Sequence, residues 1–243
     1  MHRTHVIHEH RNTTRYIIYD SEILELQEAE QLFADQISSR APLAGGRGGA
    51  WELTFNNETL VLRRYKRGGL AQRFAQDRHV WTGISSSRPW QEWLLLFELW
   101  KKSLPVPRPV AAQVVRSGFI YQAEIMTKKI EDAQSLAWRA VHRSLALTDW
   151  HRIGKCIRCL HDAEVFHADL NAHNVLMDEN DKIWIIDLDR GKINPMIPMW
   201  KMWNLKRLKR SLDKVQAQHP SMSFSPHAWK ALLTSYQASK NKV

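Results

Sequence analysis

Cysteines, long apolar runs and late acidic residues are all scarce in this chain of 243 residues. Two cysteines give no disulfide framework, which excludes the small stapled scaffolds of secreted proteins. The longest apolar run, Trp93 to Phe97, falls far short of the roughly 20 residues that a membrane span needs. The opening Met1-His2-Arg3-Thr4-His5 lacks the apolar core of a signal peptide, so the expected compartment is the cytoplasm. There is no internal repeat. Acidic residues almost vanish after Asp189: residues 190–243 hold eleven Lys/Arg and one acid, Asp213, so the tail carries the whole net charge of +10. A one-sided charge of this kind attracts phosphates, on nucleic acid or on anionic lipid. A composition that is 44% hydrophobic and 25% charged is that of a globular chain, which excludes general disorder. At roughly 100–200 residues per domain, the length allows one domain or two small lobes.

What is present divides the chain in two. After a His- and Arg-rich start, whose His2, His5, His8 and His10 read as a flexible polar terminus, Tyr16 to Tyr19 is β-like and Ser21 to Ile37 has a helical apolar face. Trp51–Phe55 and Thr59–Tyr65 flank Asn56-Asn57 as a hairpin. Ser86–Trp100 reads as a helix, closed by Pro105, Pro107 and Pro109. Val110–Val115 and Phe119–Met126 are strands, and Ser135–Ala146 and Leu147–His161 are helices. Val175–Met177 and Ile183–Ile186 are short strands, and the rest is helix and loop. The order predicts an α+β fold with a β-rich first lobe, 1–127, and a mostly helical second lobe, 128–243.

The chemistry concentrates in His167-Ala168-Asp169-Leu170-Asn171-Ala172-His173-Asn174 followed by apolar Val175 to Met177. Protein kinases carry H-R-D-L-x-x-x-N before such a strand. Thirteen residues after Asn174, the strand Ile185-Ile186 delivers Asp187. Phosphoryl transfer to a hydroxyl needs a carboxylate to orient the hydroxyl and take its proton, and oxygen ligands for Mg²⁺ on the phosphates. Asp169 suits the first role, Asn174 and Asp187 the second. Gly45, Gly46, Gly48 and Gly49, with Arg47 among them, form a turn whose backbone N–H groups suit the phosphates of ATP, although a flexible linker explains the glycines equally well. In Leu60-Val61-Leu62-Arg63-Arg64-Tyr65-Lys66 no lysine stands where kinases place one. Strand alternation puts Val61, Arg63 and Tyr65 on one face and Leu62 and Arg64 on the other; the phosphate role is assigned to Arg63, with Val61 under the adenine and Arg64 as the fallback, and a charged edge strand is the alternative. Glu92 is the acid expected to partner it, with Glu98 as its rival. Met126 falls at the join of the lobes, near the base. Cys156 and Cys159 sit mid-helix without a second pair, which argues against a redox or zinc site. His161, His167 and His173 could be imagined as a zinc set, but kinase spacing makes His167 a brace for the catalytic loop. Trp200 to Val215 reads as a helix with Leu205, Leu208, Leu212 and Val215 on one face and Lys206, Arg210 and Lys214 on another. Either it is a solvated lobe helix, or its basic residues, Arg207 and Lys209 included, face an anionic membrane with tryptophans at the interface.

With these motifs assembled, the sequence resembles the 3-deoxy-D-manno-octulosonic acid (Kdo) kinases, in the lipopolysaccharide kinase group of the protein-kinase-like superfamily. The likeness runs from about Gly45 to Leu212. It rests on Leu62-Arg63-Arg64-Tyr65-Lys66-Arg67-Gly68-Gly69-Leu70, on Leu104-Pro105-Val106-Pro107-Arg108-Pro109-Val110-Ala111-Ala112, on the catalytic loop with Ile186 to Gly191, and on Trp203 to Leu208. Leu188 departs from the Phe more usual in that family. The resemblance implies a two-lobed protein-kinase-like fold and transfer of the ATP γ-phosphate to the 4-hydroxyl of Kdo on a lipid A precursor. It also implies peripheral work at the cytoplasmic face of the inner membrane, with an anionic membrane as partner rather than nucleic acid. Arg67, Arg73, Arg78, Arg108 and the tail basics are the candidates to grip Kdo. A heptose kinase of the same group keeps a lysine at the position of Arg63, which argues against that acceptor. A small atypical protein kinase would need no lipid. A pseudokinase scaffold would not need Asp169, Asn174 and Asp187 together.

Overall fold

The computed structural model of the chain describes residues 1–9, 13–34, 41–42, 49–66, 78–222 and 224–238. Two compact units emerge: Met1–Phe97 with Arg108–Lys129, and Glu98–Pro107 with Ile130–Val243. The segment 98–107, expected with the first half, therefore groups with the second. The α+β class read from the sequence is the class observed.

The first unit is built on one antiparallel sheet. Its strands are β1 (His2–Glu9), β2 (Thr13–Asp20), β3 (Ala41–Pro42), β4 (Ala50–Phe55), β5 (Glu58–Arg64), β6 (His79–Val80), β7 (Pro109–Ser117) and β8 (Ile120–Lys128). They lie in the order β1-β2-β7-β8-β5-β4-β3, with β6 alongside β8. The helices are α1 (Leu26–Ala34) and α2 (Arg88–Lys101), the latter crossing from the first unit into the second at Phe97. β4 and β5 pair through to Phe55–Glu58. That leaves Asn56 and Asn57 as a two-residue turn at φ 47° and 62°, the left-handed pair for which asparagine is well suited. Alternation along β2 and β5 sends Ile17, Tyr19, Leu60 and Leu62 to the face covered by Leu24, Ala29, Leu32 and Phe33 of α1 and the turn before it. α1 starts later than the periodicity suggests. Asp20 folds residues 21–24 into a turn, and the Glu28 carboxylate accepts from the Glu25 N–H just ahead of the helix.

His10 lies outside the described residues, but from His2 to Glu9 the His-rich terminus is not a loose polar tail. It forms β1, paired with β2 along its whole length. His2 lies edge-on to Trp93 and Phe97 of α2, with centroids 5.5 and 5.4 Å away, while His5 stacks on Tyr19. Apolar alternation could not reveal this strand, because its only apolar residues, Val6 and Ile7, are adjacent.

The second unit contains α3 (Leu136–His142), α4 (Leu147–Asp162), α5 (Trp200–Gln218) and α6 (Pro226–Ala238). It also contains short strands β9 (Gln134–Ser135), β10 (Val165–Phe166), β11 (Val175–Met177), β12 (Ile183–Ile185) and β13 (Lys192–Ile193). β12-β11-β9 form one small sheet and β10-β13 another. β9, β10 and β13 are too short to leave a period in the sequence. α4 and α6 approach backbone to backbone at Gly154, where a Cβ would meet the Leu232 carbonyl at 2.2 Å. Ser235 ties the same crossing by donating to the His151 carbonyl at 2.8 Å.

Candidate active site

In the first unit, adjacent residues of β5 serve opposite faces of the sheet. Arg63 reaches α2 and pairs with Glu92, Nη2 to Oε2 at 2.5 Å. The Tyr65 hydroxyl donates to the same Glu92 oxygen. The Arg63 guanidinium lies 4.6 Å from the Tyr65 ring centroid, and that of Arg88 lies 5.1 Å from it. Glu92 is buried, and Arg63 remains partly open at 27% exposure. The rival acid, Glu98, pairs with Lys102 on the surface. Arg64 turns the other way, where Glu124 accepts from its Nε and Nη2 at 3.0 and 2.8 Å and from Gln113 at 2.7 Å. The two arginines are thus separated by the pleat, and Arg63 is the one on the α2 face.

The other first-unit candidates are placed less evenly. Val61 is half-buried on the same strand face as Arg63. The Met126 side chain is fully buried in the core against α1, which leaves only its backbone for contact with a base. Gly49 has φ 136°, and a Cβ there would meet the Lys66 side chain at 3.0 Å, so the lysine stem runs across the glycine. Gly45, Gly46, Arg47 and Gly48 lie outside the described residues, as do Arg67 and Arg73. Arg78 is exposed. Arg108 is engaged by Asp20 at 2.6 Å and Glu22 at 2.9 Å.

The catalytic loop lies in the second unit and is held from several sides. Buried His167 is bonded at both ring nitrogens. The Asp169 N–H donates to Nδ1 at 3.0 Å, so Nδ1 is the acceptor and Nε2 carries the proton, donated to the Ile186 carbonyl at 3.0 Å. Burial holds the imidazole below its usual pKa, which keeps this neutral tautomer. One side chain thereby links the backbone of Asp169 to the residue preceding Asp187. Asn171 shapes the turn: its Nδ2 donates to the Asp169 carbonyl, and its Oδ1 accepts from the N–H groups of His173 and Asn174. Asn174 donates Nδ2 to the Asp169 carbonyl at 2.9 Å, which fixes the orientation of its carboxamide. The Ile186 N–H donates to the Asn174 carbonyl at 3.0 Å. Asp187 then adopts φ 61°, the left-handed region that ends the β12 extension. Leu188, at the departure from the family pattern, is fully buried. An oxygen pair from Asn174 and Asp187 is the donor chemistry that suits a hard cation such as Mg²⁺.

α5 supplies what the sequence reading missed. Asn204 Oδ1 accepts from the His167 N–H at 3.2 Å, and its Nδ2 donates to the His167 carbonyl at 2.7 Å. Asn204 Oδ1 also faces His161 Nε2 at 3.3 Å, and the other nitrogen of His161 meets the Tyr236 hydroxyl at 2.8 Å. Burial lowers the His161 pKa to about 4. Arg207 brings Nε and Nη2 to Asp169 Oδ1 at 2.8 and 2.6 Å. Ser211 Oγ accepts from the Ala172 N–H at 3.1 Å. Three polar residues at spacings of three and four therefore line one side of a helix whose basic residues drew attention to charge alone. Arg207 belongs to this set and not to a free basic surface, and Lys209 is paired with Asp213. His161, His167 and His173 do not converge, and no group of three metal-binding side chains occurs among the described residues. Both cysteines are free thiols, Cys156 buried and Cys159 exposed.

A family model for the lipopolysaccharide kinase (Kdo/WaaP) family matches residues 38–236. The chain belongs to this family. Within it, the chain is 42% identical over 204 residues to a 3-deoxy-D-manno-octulosonic acid kinase of Stenotrophomonas maltophilia (strain R551-3), covering 83% of this chain and 82% of that one. It is 41% identical over 202 residues to the enzyme of the same name from Xanthomonas axonopodis pv. citri (strain 306), covering 82% of this chain and 81% of that one. Family membership makes the chain a phosphotransferase.

Proposed function

We propose that the chain transfers the γ-phosphate of ATP to the 4-hydroxyl of 3-deoxy-D-manno-octulosonic acid on a lipid A precursor, a step of lipopolysaccharide inner-core synthesis. The observation that carries the reading is the single stitched unit of Asp169, Asn174 and Asp187, joined through His167 and Ile186. The acceptor is taken from the names of the relatives. The acceptor oxygen attacks the γ-phosphorus, the bond to the β–γ bridging oxygen breaks, ADP leaves, and the hydroxyl proton passes to Asp169. Asn174 Oδ1 and Asp187 would hold Mg²⁺, which when bound neutralises charge on the phosphates. Arg63, held by Glu92 and Tyr65, is the cation for the α- and β-phosphates, with Val61 and the Met126 backbone toward the base. An arginine fork replaces the usual lysine point charge.

The work is placed at the cytoplasmic face of the inner membrane. No described helix is long and apolar enough to cross a membrane. Met196, Met199, Met202 and Trp203 are exposed at and before the start of α5, and Lys206, Arg210 and Lys214 are exposed along it. Together they offer an apolar edge and a cationic field to anionic lipid.

The test is transfer of label from γ-labelled ATP, with Mg²⁺, to a Kdo-bearing lipid A precursor beside a heptose-bearing core and a generic protein. Label in the Kdo sample is expected. Label confined to the heptose or protein sample would overturn the reading. Salt-sensitive binding to anionic vesicles, weakened by K206E/R210E/K214E, is expected for the membrane placement, and binding indifferent to salt and to those changes would remove it.

A further inference from the structure

Arg207 and Asp169 are each about half exposed, at 47% and 50%. An exposed ion pair contributes little to folding, so stability gives no reason for this one. Its geometry is nevertheless fixed. Three residues before Arg207, Asn204 grips His167, and four residues after it, Ser211 accepts from Ala172. The helix backbone under Arg207 is thus anchored to the catalytic loop on both sides. The guanidinium meets Asp169 side-on, with Nε and Nη2 both directed to Oδ1. Among the described residues, none accepts from Nη1 and none donates to Oδ2. Two edges are therefore presented together: Oδ2, positioned to take a proton, and the end-on Nη1/Nη2 edge, whose parallel N–H groups match a carboxylate.

We propose that Arg207 is the residue that selects an anionic acceptor: its end-on edge binds the sugar's carboxylate while the Asp169 oxygen it leaves open receives the hydroxyl proton. The inference rests on the functional reading above, in which the acceptor is a sugar acid. It assigns α5 the acceptor side of the reaction and gives Arg207 a contact with substrate, separate from the phosphate role of Arg63.

The experiment crosses a protein change with a substrate change. Wild type and R207Q are each assayed on the Kdo-bearing lipid A precursor and on the same acceptor with the Kdo carboxylate converted to its methyl ester. For wild type, esterification is expected to lower kcat/KM roughly ten- to hundredfold, the size of one charge-assisted hydrogen-bonded pair. R207Q is expected to use both acceptors within about twofold of each other, because the lost preference is the same interaction, while turnover on both falls below wild type because Asp169 loses its paired cation. Its KM for ATP and its melting temperature stay at wild-type values, and R207K recovers part of the preference for the acid. Retention of the acid preference in R207Q would overturn the inference, as would a raised KM for ATP with an unchanged acceptor KM. Wild type that fails on the free acid itself would overturn the functional reading and this inference with it. Transfer by wild type without discrimination between acid and ester would overturn the inference alone.

Discussion

Replacing Asn204 tests whether α5 holds the catalytic loop. Asn204 is buried, and its carboxamide satisfies both backbone groups of His167 while lying against His161. Truncation to alanine leaves a buried N–H and a buried C=O without partners. At about 1–3 kcal/mol for each such group, Asn204→Ala should lose roughly 2–6 kcal/mol of stability, toward the low end if water enters. The damage should not stop at stability, because the His167 ring carries the Ile186 carbonyl on one side and the Asp169 N–H on the other. A shift at residue 167 moves Asp169 and the approach to Asp187 together, so kcat should fall at temperatures where the variant is still folded, with the KM for ATP nearly unchanged. Asn204→Asp separates the two bonds. It retains an acceptor for the His167 N–H, loses the donor to the His167 carbonyl, and puts a carboxylate beside His161, whose pKa should rise from about 4. Urea unfolding followed by tryptophan fluorescence, together with steady-state kinetics below the transition, supplies both readouts. A loss under about 0.5 kcal/mol with wild-type kcat would show that α5 does not hold the loop, because this is the scale of an ordinary surface change.

Arg63→Ala leaves buried Glu92 without its guanidinium, and should cost about 3–5 kcal/mol as well as phosphate binding; R63M/E92L should regain stability without turnover, and recovered turnover would remove Arg63 from the phosphate site. His161 stays neutral in the fold down to about pH 4, whereas it titrates near 6.5 when exposed, so the unfolded chain binds the extra proton between those values. The corresponding stability is complete above pH 6.5 and falls as pH drops toward 4, by on the order of 3 kcal/mol; His161→Gln should flatten that slope in denaturant titrations, and an unaltered slope would place its origin elsewhere. Gly154→Ala drives a methyl group into the Leu232 carbonyl, and should cost about 1–3 kcal/mol in thermal unfolding if α6 can shift, more if it cannot.

Much of this arrangement was legible because it lies in local patterns. The Asn56-Asn57 hairpin, the strand alternation that separates Arg63 from Arg64, and the spacing of Asp169, Asn174 and Asp187 all follow from rules acting over a few residues. The pairing of Arg63 with Glu92 required only the order strand then helix. β1 was hidden because its only apolar residues, Val6 and Ile7, are adjacent and show no alternation. Arg108 looked free because its partner, Asp20, lies 88 residues earlier, on a neighbouring strand of the sheet. Asn204, Arg207 and Ser211 were hidden for a different reason: in a segment so rich in lysine and arginine, net charge masked a polar stripe that becomes meaningful only when the loop it grips is in place.

That stripe also changes how the basic tail is understood. At about 100° per residue, Asn204, Arg207 and Ser211 fall within an arc of roughly 60°, while Lys206, Arg210 and Lys214 span about 80° farther round the helix. Leu208, Leu212 and Val215 occupy the buried side. Arg207 stands at the border, the last residue of the loop-gripping arc and the neighbour of the exposed basic one. The charge that composition assigned to a membrane-facing tail is therefore not uniform: Arg207 is committed to Asp169 and Lys209 to Asp213, while Lys206, Arg210 and Lys214 are exposed. On the proposed reading, the cationic field that attracts an anionic lipid leads along one helix to the residue that receives its sugar acid. The helix then has a directional role, drawing the acceptor by long-range charge on one arc and fixing it by short hydrogen bonds on the next. Neutralising Lys206, Arg210 and Lys214 should therefore slow acceptor capture in a salt-dependent way and leave bound-state discrimination intact, whereas loss of Arg207 should do the reverse.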